Sequence, residues 1–306
     1  MIDTPTSWIL LFGLGIITGS LAGILGIGGG LINVPILTMA GATTLQAAAT
    51  SLIGVLLSAT SGSIRNLQTG SLNWRVSITM GVFGIVAAQL GARVGDRLSD
   101  DLLSLGFAAL ALLTIYLMGL KRSLKQAQEK RTKAQDALAD ESVETMNGMV
   151  GSQASRTTLQ PYSVTQNAVT YRFWPPTGIG LAAGILSGLF GVGGGAVMVP
   201  LQMLVLNESV KTAVRTSLGA MVAIGSSALI GQAMAGNVLW IPGLCLGAGA
   251  VLGAQFGTRL LPKLSDRAIT VMFRLLLLGL STYMIVRGVG GLYESWFSMP
   301  SSPKLE

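Results

Sequence analysis

The sequence predicts an all-α polytopic membrane protein made of two inverted-topology repeats, each of about five helical segments, eight to ten in total. Three observations predict it: charge-free apolar runs recur along the chain, one half repeats the other, and equivalent loops carry opposite charge bias. The 306 residues are 50% hydrophobic and only 11% charged, whereas a soluble domain carries about 25% charged residues. Each apolar run approaches the ~20 residues that cross the hydrocarbon core as a helix. The 41 glycines follow no G-X-Y period; in so apolar a chain they mark closely packed or interrupted helices.

The repeat is read directly. Residues 15–37 are GIITGSLAGILGIGGGLINVPIL and residues 180–202 are GLAAGILSGLFGVGGGAVMVPLQ. At a constant offset of 165, Gly15, Gly19, Gly23, Gly26, Gly28, Gly29, Gly30 and Pro35 match Gly180, Gly184, Gly188, Gly191, Gly193, Gly194, Gly195 and Pro200. With one residue of slippage the match continues through Thr50-Ser51-Leu52 and Thr216-Ser217-Leu218, Asn66 and Gln232, Gly70 and Gly236, and Trp74 and Trp240. GARVGDRL at 91–98 further resembles GAQFGTRL at 253–260. The expected organisation is an N-terminal membrane repeat over 1–120, a cytoplasmic charged linker over 121–172, a C-terminal membrane repeat over 173–290 and an extracytoplasmic tail over 291–306. In the first half the apolar pieces fall at about 8–25, 31–40, 45–62, 75–92 and 102–120. In the second they fall at about 175–190, 196–206, 213–235, 240–258 and 268–287. The second piece of each half is too short for an ordinary span and reads either as a half-helix paired with its predecessor in a re-entrant hairpin or as a glycine-broken short crossing; either way the crossings per half are odd in number.

Charge sets the expected orientation. The linker carries +3, with Lys121, Arg122 and Lys125 beside the preceding apolar run, so it is expected inside. Arg65 and Arg75 then flank an inner loop, whereas its uncharged equivalent, 235–240, falls outside. The uncharged loop 40–46 falls outside, and its equivalent with Lys211 and Arg215 inside. The loop with Arg93, Asp96, Arg97, Asp100 and Asp101 sums to −1, and its counterpart with Arg259, Lys263, Asp266 and Arg267 to +2. Exchanged bias between equivalent loops is the pattern of an inverted repeat. It places both termini outside a multi-pass inner (plasma) membrane protein. The N-terminal run lacks the positive lead of a cleaved signal peptide and is expected to be retained.

Absences narrow the chemistry. There is no histidine, and Cys245, in an apolar run, is the only cysteine. Disulfide frameworks, cysteine metal clusters and histidine-based triads therefore drop out. No catalytic residue, metal or cofactor is expected, nor a nucleic-acid partner, because the +7 net charge sits in loops. Every carboxylate lies at a segment end, in the linker or in a tail, which argues against a buried acidic proton relay. Arg274, inside the last apolar run, is a further polar candidate, with snorkelling to the inner surface as the alternative.

The motifs GIGGG (26–30) and GVGGG (191–195) are not nucleotide loops, since no Lys-Ser/Thr follows and neither follows a soluble strand. Consecutive glycines interrupt a membrane helix, and such a break persists only where protein or a polar cavity surrounds it. A short helix begins after each, with Pro35 and Pro200 early in it. Its positive end, with N–H groups free of side-chain obstruction, points inward. In an inverted pair the two ends meet near the midplane, a ready anion site. Gly28, Gly29, Gly30, Gly193, Gly194 and Gly195 are the primary candidates for substrate binding. The repeat-paired hydroxyls Thr50, Ser51, Thr216 and Ser217 and the amides Asn66 and Gln232 come second. Gln89 reads as a lone amide in an apolar stretch. The ladders Gly15-Gly19-Gly23 and Gly180-Gly184-Gly188 read as helix-packing surfaces.

The doubled pattern G-x-x-x-G-x-x-G-[IV]-G-G-G-x-x-x-V-P resembles the TauE/SafE sulfite exporter family, also called toluene sulfonate uptake permeases. The resemblance covers both halves and leaves out only the linker and tails. It implies a permease for sulfite, a sulfonate or a related organosulfur anion, with membrane lipid around it. The expectation is a secondary transporter working by alternating access around the midplane breaks. Uptake against the membrane potential requires a coupling ion, Na+ or H+, whereas export of an anion requires none. A non-sulfur anion, a membrane scaffold without transport and an intramembrane enzyme remain as alternatives. The oligomeric state is left open.

Overall fold

A computed structural model describes residues 5–119 and 174–297. The expected linker over 121–172 and the last residues of the tail, 298–306, lie outside the described residues. Among the described residues all regular structure is helical. The first half comprises α1 (Pro5–Leu25), α2 (Gly30–Met39), α3 (Thr44–Gln68), α4 (Trp74–Gly95) and α5 (Asp100–Gly119). The second comprises α6 (Trp174–Phe190), α7 (Gly195–Val205), α8 (Val210–Met234), α9 (Trp240–Leu260) and α10 (Asp266–Phe297). Seven of these helices, α1, α3, α4, α5, α8, α9 and α10, are long and apolar enough to cross a membrane, while α2 and α7 are short apolar helices. The expected five pieces per half are thus recovered.

Local signals repeat as well. Thr43 caps α3 by accepting from the Gln46 N–H while the Gln46 side chain accepts from the Thr43 N–H, and Ser209 caps α8 by accepting from the Thr212 N–H. Trp74 and Trp240 open α4 and α9, each roughly half exposed, as aromatic residues do at a membrane–water boundary.

The halves interlock. α9 of the second half packs on α1 and α3, and α4 of the first half packs on α6 and α8. Small residues make this possible. A β-carbon at Gly19 would stand 2.5 Å from the Ala250 α-carbon, and one at Gly23 would stand 2.8 Å from the Ala254 carbonyl oxygen. On the other side a β-carbon at Gly184 would meet Gly84 and Ala87 at 2.8–2.9 Å. Side-chain-free strips on facing helices permit backbone-to-backbone approach, which in lipid is a principal source of helix association.

These contacts also fix direction. Residues 15, 19 and 23 of α1 meet progressively later residues of α9, so the two run parallel; residues 180, 184 and 188 of α6 climb α4 in the same way. α3 and α8 cross antiparallel, with Gly62 beside Leu218 and Gly225 beside Val55. α1, α3 and α9 therefore share one direction, and α4, α6 and α8 the other. Ser61 donates to the Val251 carbonyl, and Gln255 donates to Ser61. Ser227 donates to the Ile85 carbonyl, and Gln89 donates to Ser227. Gln89 thus has an equivalent, Gln255, at the same offset of 166 that relates Ser61 to Ser227. The alignment of 91–98 with 253–260 is corrected by one helical turn: Gly91 packs on Ile185 as Gly257 packs on Ser20. A four-residue error on a helix leaves the glycines on one face, and the sequence pattern alone does not reveal it.

At one end of the bundle Asn237 contacts Asp96, Asp100 accepts from the Thr44 hydroxyl at 2.9 Å, and Arg287 reaches Asp100 at 3.4 Å and the Ala42 carbonyl at 3.3 Å. Asp100 sits at the positive end of α3, while Arg287, which also donates to the Thr38 carbonyl, neutralises the C-terminal end of α2. At the other end Asn73 meets Glu208, and Lys211 donates to the Pro262 carbonyl at 3.1 Å. Residues 70 and 236 therefore lie at opposite ends.

The glycine strips predict a sharp positional effect. Gly19→Val should lower the melting temperature by several degrees or prevent recovery of folded protein, since overpacking costs about 1–3 kcal/mol or more. Gly279→Val, with nothing within 4 Å of its β-carbon, should be neutral in the same thermal-unfolding measurement in detergent.

Candidate functional site

The two breaks meet at the centre. After α1 the chain turns back on itself, with Gly26, Gly28 and Gly29 at φ of 70°, 69° and 78°; Gly191, Gly193 and Gly194 repeat this at 68°, 70° and 76°. These angles disfavour any side chain. Gly29 and Gly194 are the N-caps of α2 and α7. A β-carbon at Gly30 would stand 2.5 Å from the Gly191 carbonyl oxygen, and one at Gly195 would stand 2.9 Å from the Ile27 α-carbon. Each break is thus the other's neighbour. Val55 and Met221, equivalent residues of α3 and α8, are fully buried and fill the space against Gly28 and Gly193.

Residues 26–31 and 190–200 are all buried. The Gly29 and Gly194 carbonyls accept from the third and fourth residues beyond them. Among the described residues, the N–H groups of Gly28, Gly29 and Leu31, and of Gly193, Gly194 and Ala196, make no backbone–backbone hydrogen bond. Unpaired donors at a helix start are ordinary where water reaches them; deep in an apolar bundle they are costly.

The paired hydroxyls support this arrangement. Ser51 donates to the Gly191 carbonyl at 2.7 Å and Ser217 donates to the Gly26 carbonyl at 3.0 Å, each reaching across to the other half. Ser58 adds a bond to the Gly28 carbonyl at 3.0 Å. Thr50 accepts at 2.9 Å from the N–H of Leu239, the residue before α9, whereas the buried Thr216 hydroxyl has no partner among the described residues. Asn66 and Gln232 stand away from the Val55–Met221 centre of the breaks, each eleven residues beyond it and roughly 16 Å along its helix, with Gln232 against the last turn of α6 before the second break. Gln232 donates to the Gly188 carbonyl at 3.1 Å, and the buried Asn66 Nδ2 has no partner among the described residues. Arg274 is half-buried, and its Nε is buried without a partner among the described residues.

The sequence reading missed Asn33 and Gln202. Both are fully buried, and neither side-chain amide has a partner among the described residues. The available signal was the break in symmetry: at the offset of 165, Asn33 stands opposite Met198 and Gln202 opposite Leu37. No cluster of side chains suited to a metal ion occurs among the described residues.

The family model for the sulfite exporter TauE/SafE matches residues 11–284. The chain belongs to this family. It is 25% identical over 293 residues to the probable membrane transporter protein YunE of Bacillus subtilis, covering 92% of this chain and 99% of that one. A probable membrane transporter protein of Xylella fastidiosa is 24% identical, with 97% and 99% covered. A third, MJ0441 of Methanocaldococcus jannaschii, is 22% identical, with 90% and 95% covered. No solved structure gives a significant match. The protein is therefore an integral membrane protein of a transporter family.

The two breaks should respond differently to one methyl group. Gly29→Ala meets nothing closer than 3.5 Å, so its cost is the left-handed backbone, about 1–2 kcal/mol. Gly194→Ala adds a 2.7 Å approach to the Ala183 carbonyl oxygen and should destabilise clearly more in thermal unfolding. Ser51→Ala and Ser217→Ala each leave a buried carbonyl without its cross-half donor and should cost about 1–3 kcal/mol.

Proposed function

We propose that this family member is a secondary transporter for a small anion, either sulfite, a sulfonate or a related organosulfur anion. Its site is the meeting point of the two glycine breaks, with Gly28–Gly30 and Gly193–Gly195 supplying backbone donors. The observation that carries this reading is the meeting of the two glycine breaks in the buried centre, each at a helix start whose first N–H groups make no backbone hydrogen bond. Such donors, aided by the helix dipoles, stabilise an anion that has left water. Ser51 and Ser217 tie the two breaks across the halves, with Thr50 and Thr216 next to them in α3 and α8 as further candidate hydroxyls. Asn66 and Gln232 are further polar candidates along α3 and α8.

The interlocked halves support a reading of alternating access. α1, α2, α3 and α9 form one bundle and α4, α6, α7 and α8 the other, and they face each other across α3, α8 and the breaks. Rocking about the Val55–Met221 contact would open the site to one surface at a time. The opposite courses of equivalent helices support an inverted-topology repeat. The end bearing Arg65, Arg75, Lys211, Arg215, Lys263 and Arg267 is assigned to the cytoplasm of an inner-membrane protein by its positive charge. Export of the anion runs down the membrane potential, roughly 2.3 kcal/mol per charge per 100 mV; import would use Na+ or H+. The chain is read as performing no catalytic step.

Purified protein in liposomes should carry radiolabelled sulfite or a sulfonate at a rate that responds to an imposed potential. Gly29→Leu and Gly194→Leu should reduce flux to background while the variants still insert. Normal flux in both would show that the breaks are not the site. In a Cys245→Ser background, cysteines placed at 70 and 236 should react with impermeant reagent from opposite faces.

A further inference from the structure

The first break holds a polar group that the second lacks. Asn33 is the fourth residue of α2, one turn beyond Gly30, and its side chain is fully buried. Its Nδ2 lies 3.5 Å from where a β-carbon of Gly29 would stand, so the amide turns back toward the break. Room for it exists because Gly54 of α3 has no side chain: a β-carbon there would stand 2.6 Å from Nδ2. Neither Nδ2 nor Oδ1 has a partner among the described residues. In the second half Met198 occupies the equivalent position of α7 and Ala220 the equivalent of Gly54, and both belong to an apolar cluster with Val55, Ala183 and Met221. The sequence thus places an amide, and the space to hold it, beside one break only.

Two chemical features of this corner restrict its occupant. The residues bordering the first break and Asn33, namely Thr18, Ala22, Gly54, Val55, Met221 and Leu246, carry no charge. A dianion brought there would be desolvated with neutral donors alone, whereas a monoanion needs far less compensation. The carboxamide also offers a donor and an acceptor side by side. A simple anion can satisfy only the donor; an anion carrying its own proton satisfies both.

Resting on the transport reading above, we infer that Asn33 is a substrate-binding residue and that it selects a singly charged oxyanion in its protonated form, such as hydrogensulfite. Nδ2 donates to a ligand oxygen alongside the N–H groups of Gly28 and Gly29, and Oδ1 accepts the ligand O–H. The anion binds off the pseudo-two-fold axis, on the side of the first break. An amide left unpaired in the empty protein is destabilising, so this assignment separates stability from affinity.

The test uses full-length protein in proteoliposomes with sulfite and methanesulfonate as probes, and thermal unfolding without ligand. Asn33→Met installs the residue that the second half already has. It should leave the melting temperature unchanged or raise it, while the KM for sulfite rises about tenfold or more, the loss expected for a hydrogen bond to a charged group. Gly54→Ala, which pushes the amide aside without removing it, should raise KM in the same direction. For the wild-type protein the sulfite KM should climb as pH rises through the hydrogensulfite–sulfite titration, while that for methanesulfonate, a monoanion throughout, stays flat. A lower melting temperature with an unchanged KM in Asn33→Met would make Asn33 a packing residue, and a sulfite KM indifferent to pH would remove the protonated ligand. Either result overturns this inference and leaves the transport reading standing. Wild-type protein that moves neither probe overturns both.

Discussion

An interrupted helix inside hydrocarbon must have its loose backbone groups shielded by protein, and the rest of this structure depends on how that is done. Each break is enclosed by the other half of the chain. Ser51 holds the Gly191 carbonyl and Ser217 holds the Gly26 carbonyl, so neither break can be completed by its own repeat. The exchange of α4 and α9 between bundles follows the same logic. A repeat by itself would expose both a glycine strip and half of a broken backbone, and lipid satisfies neither.

Glycine acts here in two distinct ways. Along α1, α6, α4 and α9 it removes side chains so that backbones come into contact, which makes these helix pairs stiff units. At 26–29 and 191–194 it provides left-handed geometry, reversing the chain within a few residues. The stiff pairs meet through α3 and α8, where Val55 and Met221 pack against both breaks. Interfaces of this kind are repacked between discrete arrangements more readily than they are deformed continuously.

The pseudo-symmetry is strong in backbone and weak in polar side chains. The carbonyl acceptors, caps and glycines repeat, yet Asn33, Ser58 and Gln202 have Met198, Ile224 and Leu37 as equivalents. Duplication accounts for the fold, and these residues depart from it. A buried amide without a partner conflicts with otherwise consistent packing, and such conflicts concentrate where a protein binds something.

The sequence by itself determined the membrane class, the duplication, the short second helix of each half and the two glycine breaks. Apolar run length and glycine spacing are local properties, set by the thickness of hydrocarbon and by helix geometry. Charge at the loops carried the expectation of opposite courses, because loop cations respond to the membrane and not to the packing. Only the tertiary structure decided which helices pair across the halves, the one-turn correction that aligns Gly91 with Gly257, the role of Ser51 and Ser217 as cross-half ties, and the distance of Asn66 and Gln232 from the breaks. It also brought forward Asn33, whose importance lies in having no partner. That property belongs to its surroundings: Gly54 of another helix makes the space, and no pattern within α2 encodes it.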